Sequence, residues 1–163
     1  DIYVGTFSKS LGSIGGFVSA NSNIAEYIRH KAAAFIFTAA LPPASIAGVI
    51  EGLHILADDT ERRNRLHENT AYIKRAFFDM GIQVHNNQVP IVPIQIGDEA
   101  VTLYMNRLLF DDGIFAGVAV SPVVPPLKAM IRTSYTCAHT RKDLDQILGS
   151  FKKNLTKLGA LSQ

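Results

Sequence analysis

The stretch DIYVGTFSKSLGSIGG, residues 1–16, decides the fold of this chain. Its first half is rich in aromatic and β-branched residues and predicts a short strand over residues 2–7. The glycines that follow predict a loop over residues 8–16, where a ligand can approach the backbone closely. Lys9 lies in that loop among hydroxyl-bearing neighbours. A lysine in such a place can pair with a phosphate, or it can attack a carbonyl carbon and form a Schiff base.

Three interpretations of Lys9 compete. It can be an exposed lysine in a structural turn, part of a nucleotide-phosphate loop, or a Schiff-base lysine for pyridoxal phosphate. The nucleotide interpretation is weak because the Walker pattern places its lysine after the glycines, whereas Lys9 precedes Gly12, Gly15 and Gly16. The spacing of these glycines also differs from the dinucleotide pattern Gly-x-Gly-x-x-Gly.

Composition and charge narrow the class of protein. The 163 residues are 47% hydrophobic and 18% charged, which is typical of a globular chain. The net charge of +2 gives no reason to expect a nucleic-acid partner. The single cysteine, Cys137, excludes an intramolecular disulfide framework and favours a reducing, cytoplasmic location.

Residues 32–50 carry no charge and approach the length of a membrane span. Pro42 and Pro43 interrupt this run, so we expect no transmembrane segment. We expect instead a buried strand over residues 35–38, a turn, and a helix over residues 44–56. The side chains of that helix expected to face a core are Ile46, Val49, Ile50, Leu53 and Leu56.

The rest of the chain alternates between predicted strands and helices. Strands are expected over residues 16–20, 82–84, 91–96, 114–116 and 129–133. Helices are expected from Asn23, over 60–80, over 98–110, and from a cap at Thr140, where Asp143 completes a capping box. The helix over 98–110 should bury Val101, Tyr104, Met105 and Leu108. Pro90 and Pro93 predict that the strand over 91–96 is an edge strand or contains a bulge.

Three runs of residues resemble a known family. They are TFSKSLG (6–12) followed by Gly15 and Gly16, FIFTAALPP (35–43), and IRTS (131–134) with AHT (138–140) and Leu144-Asp145. Together they resemble the α-oxoamine synthases, pyridoxal-phosphate-dependent acyltransferases that include serine palmitoyltransferase and 8-amino-7-oxononanoate synthase.

The resemblance implies an α/β fold, that of the fold-type I pyridoxal-phosphate transferases. Residues 1–57 would be the C-terminal part of the large cofactor-binding domain, and residues 58–163 a small α+β domain. The family's cofactor-ring residues lie upstream of the lysine motif. We therefore expect this chain to be the latter part of a longer one and to bind pyridoxal phosphate poorly by itself.

The resemblance also implies roles for individual residues. Lys9 would hold pyridoxal phosphate and move the α-proton of the substrate. Thr6 and Ser8 would bind the phosphate, and Thr38 would reach it from the neighbouring subunit of a homodimer with shared sites. The alternative for Thr38 is a hydroxyl bonded to the backbone. Arg132 would bind the substrate carboxylate; the alternative is a surface arginine, but its run is apolar, where an unpaired charge is costly.

The implied reaction joins an amino acid to an acyl-CoA and gives an α-amino ketone, CoA and CO2. The wording of the motifs favours a serine palmitoyltransferase-like member. The alternatives are 8-amino-7-oxononanoate synthase and 2-amino-3-ketobutyrate CoA ligase. A hypothesis of another class is a non-catalytic dimerisation fragment. The histidines are scattered without metal-ligand spacing, so we expect no metal site.

Overall fold

An antiparallel hairpin begins the chain in the computed structural model, which describes residues 1–85 and 87–159. β1 (Tyr3–Thr6) pairs with β2 (Gly16–Ser19), and in this register Tyr3 lies opposite Ser19 and Thr6 opposite Gly16. The two predicted strands are confirmed. The glycine-rich loop that carries Lys9 is therefore the connection of this hairpin.

Three helices follow the hairpin: α1 (Ser22–Lys31), α2 (Ala33–Ile36) and α3 (Pro43–Asp58). The predicted strand over residues 35–38 is wrong. Run 32–34 is all alanine, the strongest helix former, and the amide of Ile36 donates to the carbonyl of Ala32 at 3.0 Å. The predicted helix after the proline pair is confirmed, and it begins with Pro43 in its first turn.

These elements form one unit, Asp1–Thr60, and a second unit begins at Glu61. In α3 only Val49 is buried. The expectation that the other four apolar side chains face a core is wrong for this unit, since each is more than two fifths exposed. They are Ile46 (43%), Ile50 (49%), Leu53 (47%) and Leu56 (44%). The predicted domain boundary after residue 57 stays a prediction.

The second unit is a three-stranded sheet covered by helices. Its elements are α4 (Thr60–Asp79), β3 (Ile91–Gly97), α5 (Glu99–Asp111), β4 (Gly117–Ala119), β5 (Ala129–Ser134) and α6 (Arg141–Lys157). β5 lies in the centre and pairs antiparallel with β3 and β4. β3 is an edge strand with a register shift between Gln95 and Gly97, as its prolines predicted.

One face of this sheet packs against the helices. Val92, Ile94 and Ile131 are at most 1% exposed. The helices contribute Ile73, Phe77, Met105, Leu109, Leu144, Leu148, Phe151 and Leu155 to the same core. The rings of Phe77 and Phe151 meet edge to face, with centroids 5.2 Å apart. Because side chains alternate along a strand, the opposite face of β5 carries Arg132 and Ser134, which are exposed.

Helix α5 lies where the sequence predicted a helix, but the buried side of the helix differs from the predicted one. Of the four side chains expected inside, only Met105 is buried, and its buried companions are Thr102 and Leu109. These three lie at i, i+3 and i+7, which is one helical stripe. Thr102 tolerates burial because its hydroxyl donates to the carbonyl of Asp98 at 2.5 Å.

Two predicted strands are wrong in position or type. Residues 82–84 pair with no described strand and run on irregularly after Gly81, whose φ is +82°. The strand expected over 114–116 begins three residues later, as β4.

The predicted capping box of α6 is confirmed: Thr140 accepts from the amide of Asp143 at 3.3 Å, and Asp143 accepts from the amide of Thr140 at 2.8 Å.

In the part of the chain that the structure describes, none of the helices has the length and apolar character needed to cross a bilayer.

Candidate functional site

The loop between β1 and β2 is folded back on itself around Lys9. The amide of Phe7 donates to the carbonyl of Gly15 at 2.9 Å, and the amide of Ser13 donates to the carbonyl of Phe7 at 2.9 Å. The amide of Gly12 closes a tight turn on the carbonyl of Lys9 at 3.1 Å. The Lys9 side chain is exposed and makes no ion pair with any described residue. The hairpin thus presents a free amine at its end.

Two hydroxyl groups precede this amine in the sequence and lie close to each other in the structure. Thr6 Oγ1 and Ser8 Oγ lie 2.9 Å apart, and the amide of Ser8 donates to Thr6 Oγ1 at 3.2 Å. Thr6 Oγ1 also donates to the carbonyl of Gly15 at 3.3 Å. Both side chains are exposed. The structure therefore brings Thr6, Ser8 and Lys9 together in one short loop.

The shape of this loop requires glycine at two positions. Gly15 has a φ of +87°, and a Cβ there would lie 2.6 Å from Leu41 Cδ2. A Cβ on Gly16 would lie 2.4 Å from the carbonyl oxygen of Gly5 on the neighbouring strand. The lysine loop consequently rests against Leu41, the first residue of the Leu-Pro-Pro run. No sequence spacing indicates this contact.

Thr38 lies just after α2 in the same unit. Its hydroxyl donates to the carbonyl of Ala34, the backbone-bonded arrangement that the sequence left open. The residue is exposed, and the neighbouring Phe37 is 86% exposed. The role of Thr38 toward a neighbouring subunit stays a prediction.

Arg132 lies in the central strand of the second unit. It pairs in register with Pro93 on β3 and with Gly117 on β4. The expectation that its apolar run makes the charge costly is wrong, because the adjacent apolar residue, Ile131, faces the other side of the sheet and Arg132 faces solvent. Arg132 itself is exposed, and among the described residues it forms no ion pair. Its role as a carboxylate ligand stays a prediction.

The turn after β5 is held by a side chain that the sequence did not single out. Asn69 on α4 is 8% exposed, and its Nδ2 donates to the carbonyls of Thr136 at 3.1 Å and His139 at 3.0 Å. His139 Nδ1 accepts from the amide of Thr136 at 3.0 Å. His139 thus has a structural contact. Asn69 was missed because a lone asparagine in a polar helix is typical of a solvent-facing position.

Tyr135 begins this turn and is 4% exposed. Burial raises its pKa to about 12, so its hydroxyl stays protonated even near pH 10, where an exposed tyrosine titrates. Across residues 1–85 and 87–159 no group of three or more His, Cys, Asp or Glu side chains could hold a metal ion.

Comparisons with known proteins place this geometry in context. The model of the family "Aminotransferase class I and II" matches residues 1–151. The chain is 39% identical over 153 residues to 8-amino-7-oxononanoate synthase of Thermoanaerobacter pseudethanolicus, covering 94% of this chain and 39% of that protein. It is 36% identical over 161 residues to serine palmitoyltransferase of Bacteroides thetaiotaomicron, covering 99% of this chain and 41% of that protein.

A solved structure of similar fold is serine palmitoyltransferase from S. paucimobilis with a bound PLP–myriocin aldimine. The TM-score is 0.90 at 30% identity, covering 98% of this chain and 41% of that one. The likeness confirms the expected α/β fold class. The chain spans about two fifths of the length of these relatives.

Proposed function

The chain belongs to the aminotransferase class I and II family, and from this we propose that the complete protein is an α-oxoamine synthase. It joins an amino acid to an acyl-CoA and releases an α-amino ketone, CoA and CO2. Relatives named serine palmitoyltransferase and 8-amino-7-oxononanoate synthase both support this reaction class. We favour the serine palmitoyltransferase-like activity and keep the oxononanoate synthase and the aminoketobutyrate ligase as alternatives.

The observation that carries the proposal is the exposed Lys9 amine beside the hydroxyl pair of Thr6 and Ser8. These groups fit pyridoxal phosphate, because an amine can bond to its aldehyde carbon and hydroxyls can donate to its phosphate. When bound, pyridoxal phosphate supplies an electron-withdrawing ring that accepts the charge left by breaking a bond to the substrate α-carbon. The solved S. paucimobilis relative contains PLP, which supports the assignment.

The residues of this chain perform three tasks in the proposed reaction. Lys9 Nζ would hold the cofactor, and as a free amine it would take the α-proton of the substrate and return it. Thr6 and Ser8 hold the phosphate on one side, and Thr38 of the neighbouring subunit adds a third hydroxyl in a homodimer. Arg132 offers its planar guanidinium to the substrate carboxylate.

Covalent labelling tests the first task. The complete protein is loaded with pyridoxal phosphate, reduced with borohydride, digested and mapped by mass spectrometry. We expect the label on Lys9 and its loss in Lys9→Ala. Lys31→Ala is the matched control, since Lys31 is an exposed lysine in the same unit. A label retained in Lys9→Ala would overturn the assignment.

Product analysis tests the reaction. Serine, alanine and glycine are each paired with short and long acyl-CoA esters, and the release of free CoA thiol and of CO2 is followed. Equal amounts of both products are expected, with serine and a long acyl chain preferred. CoA released without CO2 would exclude a decarboxylative condensation. A cytoplasmic location belongs to the same proposal, because a single cysteine suits a reducing compartment.

A further inference from the structure

An aromatic ring lies over Gly5, in the strand that leads to the lysine loop. Gly5 on β1 pairs directly with Phe17 on β2, and opposed residues of antiparallel strands point to the same face. A Cβ on Gly5 would lie 2.7 Å from Phe17 Cζ and closer still to Cε1. The φ of Gly5 lies outside the left-handed region, so the ring, and not the backbone conformation, requires glycine there.

The same ring packs against Phe7, the residue at which β1 gives way to the loop. The two rings are stacked, with centroids 5.9 Å apart and planes 24° apart. The Phe7 amide donates to the carbonyl of Gly15, and the Phe7 carbonyl accepts from the amide of Ser13, both at 2.9 Å. Phe7 thus ties the lysine loop across its base, and Phe17 holds Phe7 from the side. Lys9 follows two residues later.

Thr6 is held by contacts that do not involve this ring. It pairs with Gly16 in the register of the hairpin, and its hydroxyl donates to the carbonyl of Gly15 at 3.3 Å. Lys9 lies beyond the paired residues, in the loop that Phe7 closes. Removing the Phe17 ring should therefore displace Lys9 more than Thr6.

We propose that Phe17 is a positioning residue that, through Phe7, fixes the Lys9 amine relative to the Thr6 hydroxyl. The proposal rests on the proposed function, in which Thr6 binds the cofactor phosphate and Lys9 Nζ forms a C=N bond to the cofactor aldehyde carbon as water leaves. The phosphate and the aldehyde belong to one small molecule. The amine must therefore lie at a set distance from the bound phosphate.

Two ligands separate positioning from mere stability. Pyridoxal phosphate can bond to Lys9, whereas pyridoxine phosphate, in which a hydroxymethyl group replaces the aldehyde, cannot. Their dissociation constants for the complete protein are measured by calorimetry, and melting temperatures report folding. The ratio of the two constants reports the bond to Lys9. A variant that only destabilises the fold weakens both ligands alike and leaves this ratio unchanged.

We expect Phe17→Leu to lower the preference for pyridoxal phosphate by roughly tenfold, because small misplacements of a reacting group are costly. Phe17→Tyr keeps the ring and should keep the preference. Tyr27→Leu is the matched control, since Tyr27 is an exposed aromatic residue on α1 of the same unit, and it should leave the ratio unchanged. A full preference in Phe17→Leu would overturn the inference.

Gly5→Ala tests the same route from the other strand, and it keeps the test valid if Phe17→Leu does not fold. Its Cβ takes the place of the Phe17 ring and should lower the preference in the same direction. Added to Phe17→Leu it should have little further effect, because the aromatic ring is already gone. Losses that add in full would contradict a shared route through the ring.

Lys9→Ala distinguishes this inference from the proposed function. If Lys9→Ala abolishes the preference for pyridoxal phosphate while Phe17→Leu and Gly5→Ala retain it, only the inference about Phe17 fails. If Lys9→Ala retains the preference, the role of Lys9 fails, and the inference about Phe17 fails with it.

Discussion

Replacing Asn69 by alanine tests the clamp that holds the turn after β5. The Asn69 side chain donates two hydrogen bonds, to the carbonyls of Thr136 and His139, at 3.1 and 3.0 Å. The residue is 8% exposed, so water does not readily replace the lost donor. Asn69→Ala therefore leaves two carbonyls of this turn without that partner.

The expected cost follows from these two bonds. Each contributes about 1 kcal/mol net to the free energy of unfolding, which gives a loss of about 2 kcal/mol. Alanine is a better helix former than asparagine, so in α4 it adds roughly 0.6 kcal/mol to the free energy of unfolding. We expect a net loss of about 1.5 kcal/mol.

The measurement is urea denaturation of the complete protein, combined with hydrogen exchange of the amides of residues 136–139. Asn64→Ala is the matched control, because Asn64 is an exposed asparagine on the same helix. It should raise the free energy of unfolding by roughly 0.6 kcal/mol, which is the helix-propensity gain alone. If Asn69→Ala and Asn64→Ala unfold at the same urea concentration and the turn keeps its exchange protection, the clamp has no energetic role.

Three further predictions concern other parts of the chain. The side chains of Lys153, Ser150 and Asn154 donate hydrogen bonds to Asp112 and lower its pKa from 3.8 to about 2. The ionised carboxylate therefore stabilises the fold above pH 3.8. This contribution is lost as the pH falls toward about 2. As the pH is lowered across that range, the urea midpoint of Asp112→Asn should fall less steeply than that of the unchanged protein. Equal slopes would contradict a stabilising role of the ionised Asp112. Gly15→Ala should reduce cofactor uptake by the complete protein, measured by absorbance, because of its φ of +87° and the contact with Leu41, whereas Gly48→Ala, where a Cβ would meet nothing within 4 Å, should not. Thr140→Ala should cost about 1 kcal/mol in thermal unfolding by removing the cap of α6, and Thr140→Ser should restore it.

The sequence predicted best where the causes are local. The lysine loop depends on glycines near Lys9, the start of α6 on Thr140 and Asp143, and the edge position of β3 on prolines that cannot donate a hydrogen bond. Each of these effects acts within a few residues, so the printed order of residues is enough to predict it. Lys9, Thr6 and Ser8 were identified as one group for the same reason, since they are neighbours in the chain.

The buried faces of the helices and strands were predicted less well, because they depend on neighbours that are distant in the chain. α5 buries Thr102 and Leu109 instead of Val101 and Tyr104, since its position on the sheet sets which stripe is inside. Arg132 is exposed although its sequence neighbours are apolar, because alternation along a paired strand separates the two faces.

Sequence alone therefore determined the family resemblance and the prediction that Lys9 is the reactive lysine. The tertiary structure decided which residues surround those groups: Leu41 beneath the lysine loop, Asn69 under the turn after β5, and Gly117 opposite Arg132. The physical reason is that capping, turn conformation and backbone preference act between near neighbours. Contacts across a sheet or between helices join residues whose separation in the chain carries no signal.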